Sequence, residues 1–335
     1  MIRIIAEAGV NHNGDMQIAK QLIDVASEAG ADYVKFQTFI ASQLVSADAP
    51  KAAYQREDNT GGNQLEMLQK LELSREQHIE LAEHCRKKNI HFLSTAFDLE
   101  SIGLLTELGI TLFKVPSGEI TNLPYLKKIG SLGKDVILST GMCVMEEITE
   151  AISVLVKAGT NRENITVLHC TTDYPTKMQD VNLKAMLSIR EQLDVNIGYS
   201  DHTLGIEVPV AAAALGAQVI EKHFTLDRAL PGPDHKASLE PAELKNMVTA
   251  IRNIEEALGS GAKQPTATEL ENRMVARKSI HVAKALPRGH VITEADLAMK
   301  RPGTGISPML LENILGKRTR SELSAGHLLR WEELE

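Results

Sequence analysis

Cysteine is scarce in this sequence, basic residues are outnumbered by acidic ones, and long apolar runs are missing. The three cysteines among 335 residues are odd in number and lack metal-type spacing, so we expect buried free thiols in a reducing cytoplasm. The formal net charge of −8 argues against nucleic acid as a partner. No apolar stretch is long enough to span a membrane, and residues 1–5 lead directly into a strand-like segment. We therefore expect a cytoplasmic protein without a membrane anchor or a signal peptide.

The sequence does have a regular alternation of short apolar, β-branched runs with amphipathic segments. The strand-like runs are Ile2–Val10, Tyr33–Phe39, His91–Phe97, Leu112–Pro116, Asp135–Thr140, Ile165–Cys170, Asn196–Ser200 and Gln218–Phe224. Segments between them, such as Asp15–Ala29 and Met145–Ala158, have apolar residues at the three-to-four-residue spacing of helices. This alternation over residues 1–258 predicts a (β/α)8 TIM barrel. An open doubly wound sheet is the alternative, but residues 9–14 lack its G-x-G-x-x-G turn.

Polar residues follow the apolar part of nearly every predicted strand. They include Glu7, Lys35, Gln37, Thr95, Lys114, Ser117, Glu119, Ser139, Ser200, His202, Glu221 and His223. Alternation along a strand places Lys35 and Gln37 on the inner face, while Val34, Phe36, Tyr199 and Ile220 point to the helices. Barrel active sites lie at the C-terminal ends of the strands. Because buried ionisable residues are rare without a partner or a function, this set predicts a site.

Two histidines, His202 and His223, each close a strand-like segment, with one helix-compatible segment between them. A strand, a crossover helix and a parallel strand would place the two imidazoles side by side. Neutral imidazoles are the commonest ligands of catalytic divalent metals. One histidine could instead be a ligand or base while the other packs in the barrel wall. We favour the metal site because the two histidines occur as a pair.

Two lysines, Lys35 and Lys114, are predicted inside the barrel mouth among serine and threonine hydroxyls. This combination suits a small dianion such as a phosphate ester. A single lysine could be the Schiff-base nucleophile of a class I aldolase, but such an enzyme has no need of paired histidines. A metal-dependent hydrolase usually has H-x-H on its first strand, where this chain has Glu7-Ala8-Gly9. The residues favour the addition of a phosphorylated enol to a carbonyl.

Several motifs together resemble the sialic acid synthase family, which condenses phosphoenolpyruvate with an N-acylated hexosamine. They run in order through nearly the whole chain: AEAGVNHNG at 6–14, VKFQTF at 34–39, PSGE at 116–119, LSTGM at 138–142, LHCT at 168–171, YPT at 174–176, SDHT at 200–203, EKHFT at 221–225, PGPD at 231–234 and KRPGTG at 300–305. The resemblance implies a TIM barrel followed by a small antifreeze-like (SAF) domain.

The resemblance also implies ligands for particular residues. A divalent metal, usually manganese with magnesium or cobalt as alternatives, would be bound by His202 and His223. Phosphoenolpyruvate would be bound by Lys35, Thr95, Lys114, Ser117, Ser139 and Ser200. The amino sugar would be held by Gln37, Glu119, Tyr174 and Asp234. Family members can have an asparagine that contacts phosphoenolpyruvate where this chain has Thr172. Glu7, which faces the same mouth, is our candidate for stabilising positive charge at C2 or steering a water, and its alternative role is to support a metal ligand or lysine.

The C-terminal part differs in composition, and a glycine-rich segment near residue 260 predicts a linker. We predict a barrel domain at 1–258, a linker at 259–276 and a SAF domain at 277–335, with strands at Ser279–Ala283 and Val291–Ile292. So small a module has only a thin core and should pack on another surface. In the family it reaches the partner subunit's site in a domain-swapped homodimer, where an arginine at the position of Arg301 contacts the acyl group of the sugar.

The predicted reaction joins phosphoenolpyruvate to N-acetylmannosamine and gives N-acetylneuraminate and phosphate by C–O cleavage. The alternative sugar is 2,4-diacetamido-2,4,6-trideoxymannose, which would give N,N'-diacetyllegionaminate. A Schiff-base lyase and a binding protein with a relict barrel are less favoured functions. The two sugars differ at C4 and C6, and the sequence does not indicate which side chains line those positions.

Overall fold

The computed structural model describes residues 1–47, 49–50 and 63–335. Over these residues the chain divides into two compact units, Met1–Gly259 and Ser260–Glu335. No helix in the described part is long and apolar enough to cross a membrane.

The first unit is a closed barrel in which the described residues form eight strands in sequential order, all parallel to their neighbours. The strands are β1 (Arg3–Gly9), β2 (Tyr33–Thr38), β3 (His91–Ala96), β4 (Leu112–Val115), β5 (Asp135–Ser139), β6 (Ile165–Cys170), β7 (Asn196–Asp201) and β8 (Val219–His223). β8 pairs with β1 and closes the sheet. The predicted TIM barrel is therefore confirmed, and the doubly wound alternative is wrong.

Helices alternate with these strands. They are α1 (Met16–Ala29), α2 (Ala41–Leu44), α3 (Gln64–Gln69), α4 (Arg75–Lys87), α5 (Leu99–Glu107), α6 (Leu123–Ser131), α7 (Met145–Ala158), α8 (Lys184–Leu193), α9 (Glu207–Ala214) and α10 (Pro241–Leu258). Local chemistry sets several helix starts. Asp15 accepts hydrogen bonds from two backbone N–H groups at the start of α1, and Ser74 and Gln77 form a capping box on α4.

The barrel has an inner and an outer apolar layer. Val34, Phe36, Tyr199 and Ile220 pack in the outer layer between strands and helices, as the alternation predicted. The inner layer consists of Ile5, Leu93, Leu112, Ile137, Leu168 and Val219. Gly198 takes the corresponding inner position on β7. A side chain has no room there, because a Cβ would lie 2.4 Å from the Val219 carbonyl oxygen. This layer fills the barrel interior. The polar side chains lie above it, at the C-terminal ends of the strands.

The second unit has its own small core and a two-stranded antiparallel sheet of β9 (Ser279–Val282) and β10 (Leu297–Lys300). The strand predicted at Val291–Ile292 makes only one isolated bridge, from Val291 to Arg318. Two residues are too few for a ladder, and β9 pairs with β10. The predicted linker range contains helix α11 (Ala267–Ala276), which begins with a capping box of Thr266 and Glu269.

Candidate active site

A cavity of about 370 Å³ opens at the C-terminal ends of the barrel strands. Side chains two positions apart on a strand point to the same face, so the residue two positions after an inner-layer residue faces the cavity. Ile5 is followed in this way by Glu7, Leu93 by Thr95, Leu112 by Lys114, Ile137 by Ser139 and Val219 by Glu221.

The cavity brings together the predicted site residues of the barrel. They are Glu7, Lys35, Gln37, Thr95, Lys114, Ser117, Glu119, Ser139, Tyr174, Ser200, His202, His223 and Asp234. Arg301 lies in the second unit, directly after β10. Glu221 and Thr172 also line the cavity, although the sequence analysis assigned no ligand to either side chain. These side chains therefore line one cavity, and the roles of the individual residues remain predictions.

Two lysines and two glutamates form a buried ionic cradle, defined here as Glu7, Lys35, Lys114 and Glu221. Lys35 Nζ lies 2.7 Å from Glu7 Oε2 and 3.7 Å from Glu221 Oε2. Lys114 Nζ lies 3.0 Å from Glu221 Oε1. Lys35 also donates a hydrogen bond to Thr95 Oγ1 at 2.9 Å, and Ser200 Oγ donates to Glu221 Oε1 at 3.1 Å. Glu221 thus connects both lysines, because β8 returns beside β1 and β7 when the barrel closes.

The carboxylates of the cradle have different environments. Burial raises the pKa of Glu7, and the nearby Lys35 only partly offsets this effect. Burial also opposes ionisation of Glu221, but Lys114 and Lys35 outweigh it and hold its pKa below the usual range. Glu221 is therefore the permanent anion of the cradle. Glu7 is the carboxyl that can carry a proton near neutral pH.

The two histidines lie side by side above the cradle, with ring centroids 5.6 Å apart. Nδ1 of His202 is 2.6 Å from the Thr171 carbonyl oxygen, so this nitrogen donates its proton and Nε2 keeps its lone pair. His223 Nδ1 is buried without a hydrogen-bond partner among the described residues. Burial lowers the pKa of both imidazoles, so both are neutral at pH 7. These nitrogens fit a divalent metal.

The histidine pair alone does not make a complete coordination shell. Within residues 1–47, 49–50 and 63–335, no group of three or more His, Cys, Asp or Glu residues is arranged to hold a metal. A metal bound by His202 and His223 would therefore take its other ligands from water or substrate, which is the arrangement of open catalytic sites. Tyr174 packs against the pair, with its ring centroid 4.1 Å from that of His202.

A buried ion pair fastens the strands that carry the histidines. Lys222 Nζ donates to Asp201 Oδ2, and it donates to the Thr203 carbonyl oxygen at 2.6 Å. Both charged side chains are fully buried. Because side chains alternate along β7 and β8, this pair faces away from the cavity while His202 and His223 face into it. It links the ends of the two strands directly beside the histidines.

The loop after β1 holds the segment that follows the neighbouring strand β8. Asn11 Nδ2 donates to the Phe224 carbonyl oxygen at 2.8 Å and to Ser238 Oγ at 3.0 Å. These bonds hold the segment after β8, which includes Asp234. Burial raises the pKa of Asp234 to about 6, with Lys35 acting in the opposite direction. The NHNG motif therefore shapes the site through the backbone it holds.

The ionic cradle and the paired neutral histidines lie at the C-terminal ends of the strands, where TIM-barrel enzymes have their active sites. The chain belongs to the NeuB family, whose model matches residues 22–263, and the SAF domain model matches residues 277–335. The resemblance to sialic acid synthases and the SAF domain are thereby confirmed. The relatives are named synthases, which supports an enzyme of the transferase type.

Relatives match almost the full length of the chain. It is 54% identical over 328 residues to N,N'-diacetyllegionaminic acid synthase of Campylobacter jejuni, covering 98% of each chain. It is 50% identical to the enzyme of the same name from Legionella pneumophila, covering 99% of this chain and 94% of that one. The crystal structure of N-acetylneuraminic acid (sialic acid) synthetase from Leptospira borgpetersenii, in complex with citrate, is 37% identical with a TM-score of 0.70. That comparison covers 81% of this chain and 90% of the other.

Proposed function

We propose that this protein condenses phosphoenolpyruvate with the open-chain aldehyde of an N-acylated amino sugar, releasing phosphate and a nonulosonic (sialic-type) acid. The observation that carries the proposal is the buried cradle of two lysines and two glutamates beneath His202 and His223. Fixed cations in a water-poor site bind phosphate and carboxylate strongly. The names of the relatives at 54% and 50% identity support the same reaction class.

Two amino sugars are candidates. The names of the Campylobacter and Legionella relatives favour 2,4-diacetamido-2,4,6-trideoxymannose, with N,N'-diacetyllegionaminate as product. The name of the Leptospira structure favours N-acetylmannosamine, with N-acetylneuraminate as product. We place the trideoxy sugar first because those two relatives are more similar to this chain.

Phosphoenolpyruvate is assigned to the cradle and the hydroxyls around it. Lys35 and Lys114 supply the charge, and Thr95, Ser117, Ser139 and Ser200 supply the hydroxyls. Ser139 Oγ is buried and has no hydrogen-bond partner among the described residues, so it can donate to a bound anion. Ser117 Oγ accepts a hydrogen bond from the Gly141 N–H at 2.8 Å, which fixes its position. A Schiff-base mechanism is disfavoured for Lys35, because burial lowers its pKa less than Glu221 and Glu7 raise it. Burial lowers the pKa of Lys114 despite the nearby Glu221, so for Lys114 the argument against a Schiff base is its ion pair with Glu221 at 3.0 Å.

The reaction forms a bond between C3 of phosphoenolpyruvate and C1 of the sugar aldehyde. The electron pair of the enol double bond makes this bond, and positive charge develops at C2. Water then adds at C2, and phosphate departs with the bridging oxygen and leaves C2 as a ketone. One proton of that water goes to the aldehyde oxygen, which becomes a hydroxyl, and the other leaves with the phosphate. Glu7 pairs in register with both Lys35 and His223, which supports a position for its carboxylate near the reacting carbons. We assign it to stabilise the charge at C2 and to orient the water.

A divalent metal, manganese with magnesium or cobalt as alternatives, would be held by His202 and His223. When bound, it would polarise the carbonyl of the sugar aldehyde. Gln37, Glu119, Tyr174 and Asp234 would hold the hydroxyl and amide groups of the sugar. Arg301 of a partner subunit would contact the acyl group, which makes the functional form a homodimer. A planar, always-charged guanidinium suits an acyl carbonyl better than an ammonium does.

Phosphoenolpyruvate labelled with oxygen-18 at the bridging position tests the reaction. The enzyme is supplied with Mn²⁺ and each candidate sugar, and phosphate and sugar acid are analysed by mass spectrometry. We expect sugar-dependent phosphate release with the label in phosphate, because the C–O bond breaks. Label retained in the sugar acid would contradict the mechanism, and absence of product with every N-acylated mannose would contradict the function.

A further inference from the structure

Part of the cavity lining beyond the strand ends is apolar, in contrast to the ionic cradle at the base of the cavity. Four half-buried side chains form this part and are called here the apolar wall: Leu44, Val45, Met67 and Phe97. They pack against a buried cluster that includes Phe39 and Leu68. The first three come from the segment between β2 and α4, which includes the short helices α2 and α3.

The chemistry of condensation determines which end of a sugar meets this wall. C1 must lie next to the cradle, because it forms a bond with C3 of the phosphoenolpyruvate held there. The rest of the hexose chain then leads outward from the base of the cavity. C6 is the carbon farthest from C1 along that chain, so it reaches the outer part where the apolar wall lies.

We propose that the apolar wall is the subsite for C6 of the sugar and that it selects a methyl group there over a hydroxymethyl group. This inference rests on the proposed function and adds the residues that determine which sugar is used. A methyl group gains from contact with Leu44, Val45 and Met67. A hydroxyl at the same position loses its hydrogen bonds to water and finds apolar side chains instead.

The distribution of lysines and arginines in the cavity lining also favours a neutral, apolar group at C6. Among the described residues that line the cavity, the only lysines or arginines are Lys35 and Lys114, and both belong to the cradle. Among the residues that the structure describes, a phosphate at C6 would therefore have no cation near the wall. Gln64 is a polar neighbour of the wall on α3, and its carboxamide suits the 4-acetamido group that comes earlier along the sugar chain.

The expected preference for the 6-deoxy sugar is moderate, because the two sugars differ by a single hydroxyl group. An apolar pocket rejects a ligand that merely adds a hydroxyl by a factor on the order of 10² at most. We therefore expect roughly tenfold to hundredfold higher kcat/KM for the 6-deoxy sugar. The comparison uses 2,4-diacetamido-2,4,6-trideoxymannose and the same sugar with a 6-hydroxyl, which differ at C6 alone.

The test measures this ratio for wild type, Leu44→Asn and Met67→Gln. Each substitution keeps the approximate shape of the side chain and adds a group that can bond to a 6-hydroxyl. Either change should bring the ratio down to within about threefold of unity, mainly by improving use of the 6-hydroxy sugar. Leu65→Asn is the matched control, since Leu65 lies on α3 and packs against the same cluster without lining the cavity. It should keep the wild-type ratio.

Binding of phosphoenolpyruvate, measured by calorimetry, serves as the second readout because the wall is apolar and none of its four residues belongs to the cradle. Leu44→Asn and Met67→Gln should bind it as wild type does. Equal use of the two sugars by wild type would overturn the inference, as would an unchanged preference in both variants with intact phosphoenolpyruvate binding. Those results leave the proposed function standing if either sugar releases phosphate. Failure of wild type with every N-acylated mannose would overturn the function and the inference together.

Discussion

The ammonium group of Lys35 lies 2.7 Å from a carboxylate oxygen of Glu7, and both side chains are almost completely buried. With Lys114 and Glu221 at 3.0 Å, the cradle has as many carboxylates as ammonium groups before any substrate is bound. An incoming phosphoenolpyruvate must therefore compete with these carboxylates for the lysines. Protonation of Glu7 would release Lys35 for the anion, and burial already raises the pKa of Glu7.

The first prediction concerns these two lysines. Lys35→Met or Lys114→Met should weaken phosphoenolpyruvate binding by roughly tenfold to a hundredfold or more, because each charged contact contributes on the order of 1.5–3 kcal/mol. Titration calorimetry with phosphoenolpyruvate measures this change, and Mn²⁺ affinity should barely move. Lys134→Met, an exposed residue just before β5, is the control. An unchanged dissociation constant in either cradle variant would assign that lysine a structural role.

The second prediction concerns the metal. His202→Ala or His223→Ala should remove tight Mn²⁺ binding and abolish turnover, while the far-ultraviolet circular dichroism stays that of the wild type. The fold should persist because both side chains lie at the mouth, above the inner apolar layer. Electron paramagnetic resonance of free Mn²⁺ measures binding, and His91→Ala, exposed at the start of β3, is the control. Full activity in excess EDTA, with metal content checked, would contradict this assignment.

The barrel was predictable because each strand is an apolar run with period-two alternation, and the observed strand ends differ from the predicted ones by at most one residue. The same alternation predicted that Lys35, His202 and His223 face inward. The role of Glu221 was not predictable, since it depends on the closed register that brings β8 near Lys35 and Lys114. The apolar wall was also missed, because helices as short as α2 and α3 give no periodic signal.

The third prediction concerns pH and Asp234. Burial raises the pKa of Asp234 to about 6 from an ordinary value of 3.8, so ionisation destabilises the folded state. The stability that the protonated carboxyl provides is present below pH 3.8 and is lost as pH rises through 6. Asp234→Asn should therefore gain stability relative to wild type by on the order of 2–3 kcal/mol between about pH 4 and pH 7. Urea unfolding of both proteins across this range, without ligands, measures the difference. A difference that is constant with pH would contradict the prediction.

The fourth prediction concerns the buried pair that links β7 and β8. Lys222→Met leaves the carboxylate of Asp201 buried without its cation and should cost roughly 3–5 kcal/mol of barrel stability. The double variant Lys222→Met with Asp201→Asn should be more stable than Lys222→Met alone, because the unpaired charge is removed. Denaturant unfolding of the wild type, Lys222→Met, Asp201→Asn and the double variant gives the coupling free energy. If the free-energy changes of the two single variants add up to that of the double variant, the interaction between Lys222 and Asp201 does not stabilise the barrel.

The last prediction concerns sharing of sites between subunits. We expect a dimer in which Arg301 of one chain completes the barrel site of the other, and truncation before Ala276 should leave a folded, metal-binding barrel with poor use of the sugar. The sharper test mixes two inactive proteins, Lys114→Met and Arg301→Ala, under conditions of subunit exchange. In a heterodimer with shared sites, one barrel has an intact Lys114 and receives an intact Arg301, so activity should return. Each variant exchanged with itself is the control and should stay inactive. No recovery after exchange verified by native mass spectrometry would mean that Arg301 acts on its own barrel or on neither.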